Sequence, residues 1–561
     1  MRLRYAIYAV PLIFLTLFLL YPLAMILRSG LAGGFPAFTD RFILSVIWFT
    51  CWQAVLSTGL TLLAGLPAAY VLARYRFPGR SALYALATAP FVMPVVVVAA
   101  GFVALLGRNG IVNDALARIF GVSAPQIDVL NTLGVVLLAH VFYNLSVVVR
   151  LVGGLWSMLD PRFEEAAAVL GASRRATLWR VTLPLLAPAI GAAALLVFLF
   201  TFGSFGVVLL LGGPRLATIE VEIYRQTAQA LRLDVASALA LVQLCATLAA
   251  AAVYDRLQRR STVALRLRPA GASARPPETC RAWLLVGGCM LLVLLLMAPL
   301  PALALRSLTS LTPGVEGMTL EYYRMLGENR RGSLFFVPPL AALANSLLFA
   351  GAATLLALLV GIPAAYALTG NAVRSVAIAH TRRRVAGRQI ARVILGGIII
   401  LPVGVSAIVL GLGYIVAFGP PGWLRSPLLI PVAHALLALP LVVRSLTPAL
   451  QAIDPRIREA ARVLGAGPAR IIMRVDLPLV APALLVAGLF AFTVSLGDFG
   501  AALLLARPEY PTIPVVIARL LGQPGAANYG QALALGTILM GVTLAAFLVI
   551  EWVQPRSIST P

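Results

Sequence analysis

The sequence contains no lysine; all 44 basic residues are arginine. That excludes a phosphate-cradling GxxxxGK[ST] loop, whose lysine reaches the nucleotide phosphates, and it excludes a lysine Schiff base. If the protein draws on ATP, another polypeptide hydrolyses it. Acidic residues number only 20 in 561, and charged residues make up 11% of the chain against 61% hydrophobic. Such a chain is too apolar for a soluble globular protein and has no room for a separate soluble domain. The four cysteines (Cys51, Cys245, Cys280, Cys289) show neither CxxC nor metal-ligand spacing. Cys51, Cys245 and Cys289 fall in or beside apolar runs, where a small buried hydrophobe is the expected role. With no HExxH, no nucleophile elbow and no clustered acid–base residues in the sequence, a membrane-embedded enzyme has no support.

What the chain has in quantity is long apolar runs. Stretches of roughly 20 apolar residues suit a bilayer-crossing helix. Twelve such spans are expected, near 5–27, 46–73, 82–106, 131–150, 186–210, 236–254, 283–305, 342–369, 393–418, 428–444, 482–505 and 528–551. The fifth and eleventh are interrupted by glycines. The first follows Arg2 and Arg4 but is long for a signal peptide and lacks a small-residue cleavage site, so a retained anchor is expected. The fold class is therefore an all-α polytopic membrane protein. With both termini in the cytoplasm, cytoplasmic segments and helix ends hold 30 arginines and external loops 14, the bias that sets orientation. The formal charge of +24 then reflects topology, and no nucleic-acid partner is expected.

One charged segment occurs twice, 294 residues apart. Asp160-Pro-Arg-Phe-Glu-Glu165-Ala-Ala-Ala-Val-Leu-Gly171 leads to Val181-Thr-Leu-Pro184, and Asp454-Pro-Arg-Ile-Arg-Glu459-Ala-Ala-Arg-Val-Leu-Gly465 leads to Val475-Asp-Leu-Pro478. The same offset aligns Ala139-His140 with Ala433-His434, and Gly203-Ser204-Phe205-Gly206 with Gly497-Asp498-Phe499-Gly500. Gly65-Leu-Pro-Ala-Ala-Tyr70 aligns with Gly361-Ile-Pro-Ala-Ala-Tyr366 at 296. The chain thus divides into a first half over 1–254 (core about 46–254, repeated loop 160–184), an arginine-rich flexible linker over 255–282 and a second half over 283–561 (core about 342–551, repeated loop 454–478). Six spans per half is an even number, so the repeats are parallel and related by a pseudo-two-fold axis along the membrane normal.

Each repeated segment reads as a short capped helix. Asp160 and Asp454 suit the N-cap, and Pro161 and Pro455 the first helical position. Glu164, Glu165 and Glu459 complement the helix dipole, and Gly171 and Gly465 end the helix. A second short helix is expected over about 173–182 and 467–476, before the next span. A helix lying on the membrane surface is the plain alternative, but surface helices need no such fidelity between copies.

The spacing Glu-Ala-Ala, three residues, Gly, nine residues, a β-branched residue, one residue, Leu-Pro resembles the EAA loop of type I ATP-binding-cassette importer permeases. Both copies fit it, with Val181 and Val475 where isoleucine is commoner in the family. The resemblance implies the type I permease fold. It also implies that Glu165, Ala166, Ala167 and Gly171, with Glu459, Ala460, Ala461 and Gly465, form two coupling helices. These would dock on a homodimeric cytoplasmic ATPase, which alone uses ATP and Mg; this chain would bind no cofactor. A periplasmic or lipid-anchored solute-binding protein would deliver the solute, at the plasma (inner) membrane of a prokaryote.

A permease fused as two halves resembles the thiamine and ferric-iron subgroup. Leu138-Ala-His-Val-Phe-Tyr-Asn144 and Ala217-Thr-Ile-Glu-Val-Glu-Ile-Tyr224 look closest to thiamine permeases, whereas Gly-Asp-Phe-Gly is shared with ferric ones. For a substrate path the candidates are Ser204, Asp498 and Asn144. Asp498, a lone intramembrane carboxylate, would suit a cationic solute; the alternative is a carboxylate satisfied by backbone amides or a hydroxyl near the glycines. His140 and His434, symmetrically placed, fit interhelical hydrogen bonds better than metal ligation, and Asn144 likewise fits interhelical packing. A secondary transporter with an internal repeat is the rival from another class, one that would need no ATPase.

Overall fold

The computed structural model describes residues 2–33, 40–121, 129–260, 274–310, 317–328, 338–369, 395–399, 401–402, 404–419 and 426–553. Among them the secondary structure is helical, with no strand. Among the described residues ten helices are long and apolar enough to cross a membrane. An eleventh arises if Pro468–Leu479 and Ala481–Gly497, bent by 77°, form one span.

The first half contains α1 (Ile7–Ala32) and α2 (Arg41–Arg74), then α3 (Val95–Leu106) and α4 (Leu133–Met158). The loop helix α5 (Arg162–Val169) leads into α6 (Arg174–Phe202). Two short helices, α7 (Gly206–Leu211) and α8 (Ile219–Tyr224), precede α9 (Leu233–Tyr254). The second half repeats the order: α10 (Cys280–Met297), α11 (Pro339–Thr369), α12 (Ala407–Phe418), α13 (Leu429–Ala452), the loop helix α14 (Pro455–Val463), α15 (Ala481–Gly497), α16 (Gly500–Leu505), α17 (Ile513–Leu521) and α18 (Ala526–Val553).

Five expected spans take a different form: the seventh divides at Ala298 into α10 and a helix over Pro299–Ser307, and in the ninth α12 begins only at Ala407, after its Ser406 cap. The third is broken: a helix over Arg80–Thr88 and a 3₁₀ turn over Ala89–Val92 end at Met93, and α3 begins after Pro94. Proline cannot donate to a preceding turn, and it pushes the residue before it out of the helical region. The fifth and eleventh stop at the glycines, at Phe202 and Gly497, and the apolar stretches beyond them are the separate helices α7 and α16. The expected second loop helix runs without interruption into α6 through a π-turn over Leu178–Thr182. Its counterpart has the equivalent π-turn at Ile472–Asp476 but bends at Val480. The linker expected to be flexible is ordered at both ends: the α9 helix continues to Arg260, and Arg275 pairs its backbone with Arg74 and Arg76. The arginine-rich loop at 370–392 lies outside the described residues.

Packing follows the sequence repeat. A Cβ on Gly65 would lie 2.7 Å from Val148 Cβ, and one on Gly361 would lie 2.5 Å from Val442 Cγ1. Both glycines therefore allow close helix approach, the usual way helices associate in lipid. Thr50 Oγ1 on α2 accepts the Ile219 N–H at 3.0 Å, and Ser346 Oγ on α11 accepts the Ile513 N–H at 2.8 Å. Each hydroxyl satisfies the first free donor of an internal helix, α8 or α17, where no water replaces it.

The halves exchange arms. The N-terminal part of α1 packs on α11, and its later part packs on α12, both in the second half. Reciprocally, α10 lies on α2, and the helix over Pro299–Ser307 packs on α3. A Cβ on Gly101 of α3 would lie 2.6 Å from the Pro299 carbonyl oxygen.

Candidate functional site

Two features distinguish the molecule: a pair of loop helices at one end and a cavity between the halves. In both loop helices the terminal glycine has left-handed backbone, with φ +81° at Gly171 and +80° at Gly465. The Ala172 N–H donates to Ala167 O and the Gly171 N–H to Ala168 O; Ala466 and Gly465 repeat this with Ala461 and Arg462. That pair of bonds is the Schellman closure. At the other end, Asp454 Oδ1 accepts the Arg456 N–H at 2.9 Å and Asp160 Oδ1 the Arg162 N–H at 3.1 Å. The first helix starts one residue later than its copy, so Pro161 stands at its N-cap.

Glu165, Ala166, Gly171, Glu459, Ala460 and Gly465 are exposed, and Ala167 and Ala461 half-buried. Beside them Val169 and Leu170 are each 87% exposed, and Val463 and Leu464 87% and 86%. Each capped loop helix thus carries an exposed apolar pair at its C-terminal end.

Glu164 does more than complement the helix dipole. It is paired with Arg74 at the end of α2 and accepts from Thr182 Oγ1 at 2.9 Å. At the equivalent places in the second half the charges are reversed. Arg458 Nε donates to Asp476 Oδ1 at 2.8 Å, and the Tyr366 hydroxyl donates to Asp476 Oδ2 at 3.0 Å. Each loop helix is thus tied to the span that follows it, and to α2 or α11. The offset aligns Glu164 with Arg458 as a mismatch, so sequence comparison hides their common role.

The cavity has a volume of about 820 Å³ and is lined from both halves. Ser204, Asn144 and Asp498 all line it. Phe205 and Phe499, equivalent by the repeat, stack on each other across the halves with ring centroids 5.6 Å apart and planes at 27°. From that stack the walls follow Leu199 and Leu196 of α6 and Leu248 and Ala252 of α9.

The histidines make the interhelical contacts expected of them. His140 bonds Ser57 Oγ through Nδ1 and Ser204 Oγ through Nε2, both at 2.8 Å. His434 bonds Ser495 Oγ at 2.7 Å, and its Nε2 stands 3.2 Å from Asp498 Oδ2. Asp498 lies in the break after α15, outside the helical span, where its Oδ2 also accepts the Ala502 N–H at 3.1 Å. Asn144 donates within its own helix, to His140 O, and not across helices.

Asp498 is not alone. Glu220 of α8, only 2% exposed, lines the same cavity and accepts from Gln243 Nε2 at 3.2 Å. Ser406, which belongs to the second half, lines the same cavity. Glu220 lies in the quoted segment Ala217–Tyr224, but α8 was expected to be external loop. Its signal was a carboxylate between Ile219 and Val221 in an apolar stretch.

The description "binding-protein-dependent transport system inner membrane component" matches this chain twice, over residues 62–263 and 376–559. The chain belongs to that family. This permease is a multi-pass inner-membrane transport subunit and not an enzyme, and its partners are an ATPase and a solute-binding protein. A secondary transporter is set aside. Among relatives, the thiamine transport system permease protein ThiP of Brucella abortus (strain 2308) is 28% identical over 93% of this chain and 91% of that protein. The ThiP protein of Escherichia coli (strain K12) is 28% identical over the same shares. The sulfate transport system permease protein CysT of E. coli (strain K12) is 32% identical over 44% of this chain and 90% of its own length.

Proposed function

We propose that this permease imports thiamine. Two relatives named for thiamine transport align with nearly the whole fused chain, whereas the relative named for sulfate aligns with 44% of it. The observation that carries the reading is the pair of carboxylates, Glu220 and Asp498, on one cavity wall system. Among the described residues that line it there is no arginine or lysine. Such a cavity disfavours sulfate and suits a cation that is largely organic, because most of its lining is apolar. Ferric iron is less well served, since both histidines are already engaged by serines or by Asp498.

In this reading α5 and α14 are the coupling helices. Glu165, Ala166, Ala167 and Gly171, and Glu459, Ala460, Ala461 and Gly465, form the surfaces that dock on a homodimeric ATPase. Their exposure and the neighbouring apolar pairs support that role. ATP and Mg are handled by the ATPase, and this chain carries no cofactor of its own. Both termini and both loop helices face the cytoplasm, and a periplasmic or lipid-anchored binding protein meets the opposite face. Closure of the ATPase subunits moves the loop helices; the tethers through Glu164 and Arg458 pass that motion to the spans around the cavity.

The test is uptake into proteoliposomes holding the permease, its ATPase and its binding protein. Labelled thiamine is expected to accumulate in an ATP-dependent way, with ferric ion and sulfate near background. Accumulation of either ion in place of thiamine would overturn the assignment.

A further inference from the structure

Glu220, Gln243 and Asp498 share the cavity, and each lacks a full set of donors. Glu220 accepts from Gln243 Nε2 at 3.2 Å. Gln243 is 1% exposed, yet its Oε1 has no hydrogen-bond partner. A buried carbonyl oxygen left without a donor costs about 1–3 kcal/mol. Orienting the amide nitrogen toward Glu220 leaves that oxygen buried and unpaired in a residue that borders the cavity. Asp498 takes its contacts from His434 and Ala502 on one oxygen, Oδ2. The three side chains therefore present acceptors and negative charge, and the solute they complement supplies N–H donors and positive charge. The apolar remainder, including the stacked Phe205 and Phe499, suits a flat ring.

The Glu220–Gln243 bond joins α8 to α9 within the first half and leaves the Gln243 oxygen without a donor. The second half places Pro514 and Thr537 where the first has Glu220 and Gln243. Pseudo-symmetric packing therefore does not require this pair.

We infer that the permease itself contains a solute-recognition site, in which Glu220 and Asp498 face the positive charge and Gln243 Oε1 accepts an N–H of the solute. This rests on the thiamine reading only for the choice of probe. Thiamine has a thiazolium cation and an exocyclic amine on its pyrimidine; its 4-oxo analogue keeps the cation and loses the amine.

The experiment is equilibrium dialysis of labelled thiamine against the purified permease–ATPase complex without the binding protein. Wild type is expected to bind saturably, and Glu220→Gln, which keeps shape but removes charge, to weaken binding about tenfold or more. Asp498→Asn is the second charge variant should Glu220→Gln assemble poorly. Gln243→Leu is expected to lower the preference for thiamine over its 4-oxo analogue several-fold. A merely structural role for Gln243 would weaken both ligands alike. The inference is overturned if the wild-type complex binds no thiamine, or if these variants bind with wild-type affinity and preference. Uptake in proteoliposomes without binding by the complex would leave the thiamine function standing and remove this site. Binding without uptake would do the reverse.

Discussion

At the scale of single residues, the two tethers of the loop helices differ in burial, and that decides their energetics. Arg458 and Asp476 are 7% and 3% exposed at the side chain, whereas Glu164 is 34% exposed opposite Arg74. Removing one partner of a buried pair strands the other charge, at about 3–5 kcal/mol; Arg74 is also buried, but the partial exposure of Glu164 lets solvent screen that pair and reduces the loss. Asp476→Ala is therefore expected to lower the melting temperature of the purified permease well below that of Glu164→Ala. The double variant Arg458→Ala/Asp476→Ala should recover part of the loss. Equal melting of the two single variants would show that burial does not separate the tethers. Neither tether was legible in the sequence. Arg74 lies 90 residues before Glu164, and the reversed polarity turns a shared function into an apparent divergence. Asp498 was legible because a carboxylate in an apolar stretch is conspicuous. The company of Glu220 depends on the helix break at Gly203–Phe205 and on α8 being an internal helix, which composition does not reveal.

At the scale of elements, the loop helices were read almost completely from sequence, because their signals are local. Caps, first-turn acids and the left-handed glycine each act within a few residues; the glycine and the aspartate side-chain bond recur in both copies, whereas first-turn acids are found in the first alone, Glu459 lying beyond the first turn. The broken third span, the bends and the internal helices α7, α8, α16 and α17 were harder. Their backbone donors are satisfied by distant hydroxyls such as Thr50 and Ser346, so hydropathy merges them with the spans beside them. The apolar tips of the loop helices give a direct prediction. Burying a leucine stabilises an interface by about 1.5–3 kcal/mol, and Leu170 and Leu464 are almost fully exposed in the isolated chain. Leu170→Asp together with Leu464→Asp is expected to abolish co-purification of the ATPase, with the melting temperature of the permease unchanged. An ATPase that still co-purifies in wild-type amount would remove these tips from the interface.

At the scale of the molecule, the exchanged arms make the two halves one body although the chain repeats itself. Lipid supplies little hydrophobic drive for helix association, so cohesion depends on close packing and interhelical hydrogen bonds. The arms provide the first, at contacts such as Gly101 against Pro299 and Gly413 against Pro22. Thr247 Oγ1 adds the second by donating to Gly404 O at 2.8 Å across the halves. The linker is then a matter of stoichiometry, and its backbone pairing at Arg275 is with the first half alone. Cutting the chain between residues 261 and 273 and co-expressing the pieces should give halves that co-purify through a tag on one of them. Deleting residues 1–40 from the first piece removes α1 from α11 and α12, and the yield of the pair is expected to fall several-fold. If the cut halves separate in mild detergent while the intact chain stays folded, cohesion resides in the linker and the arms are incidental. Retention of both halves after loss of α1 would narrow the tie to the second arm, Pro299–Ser307 on α3.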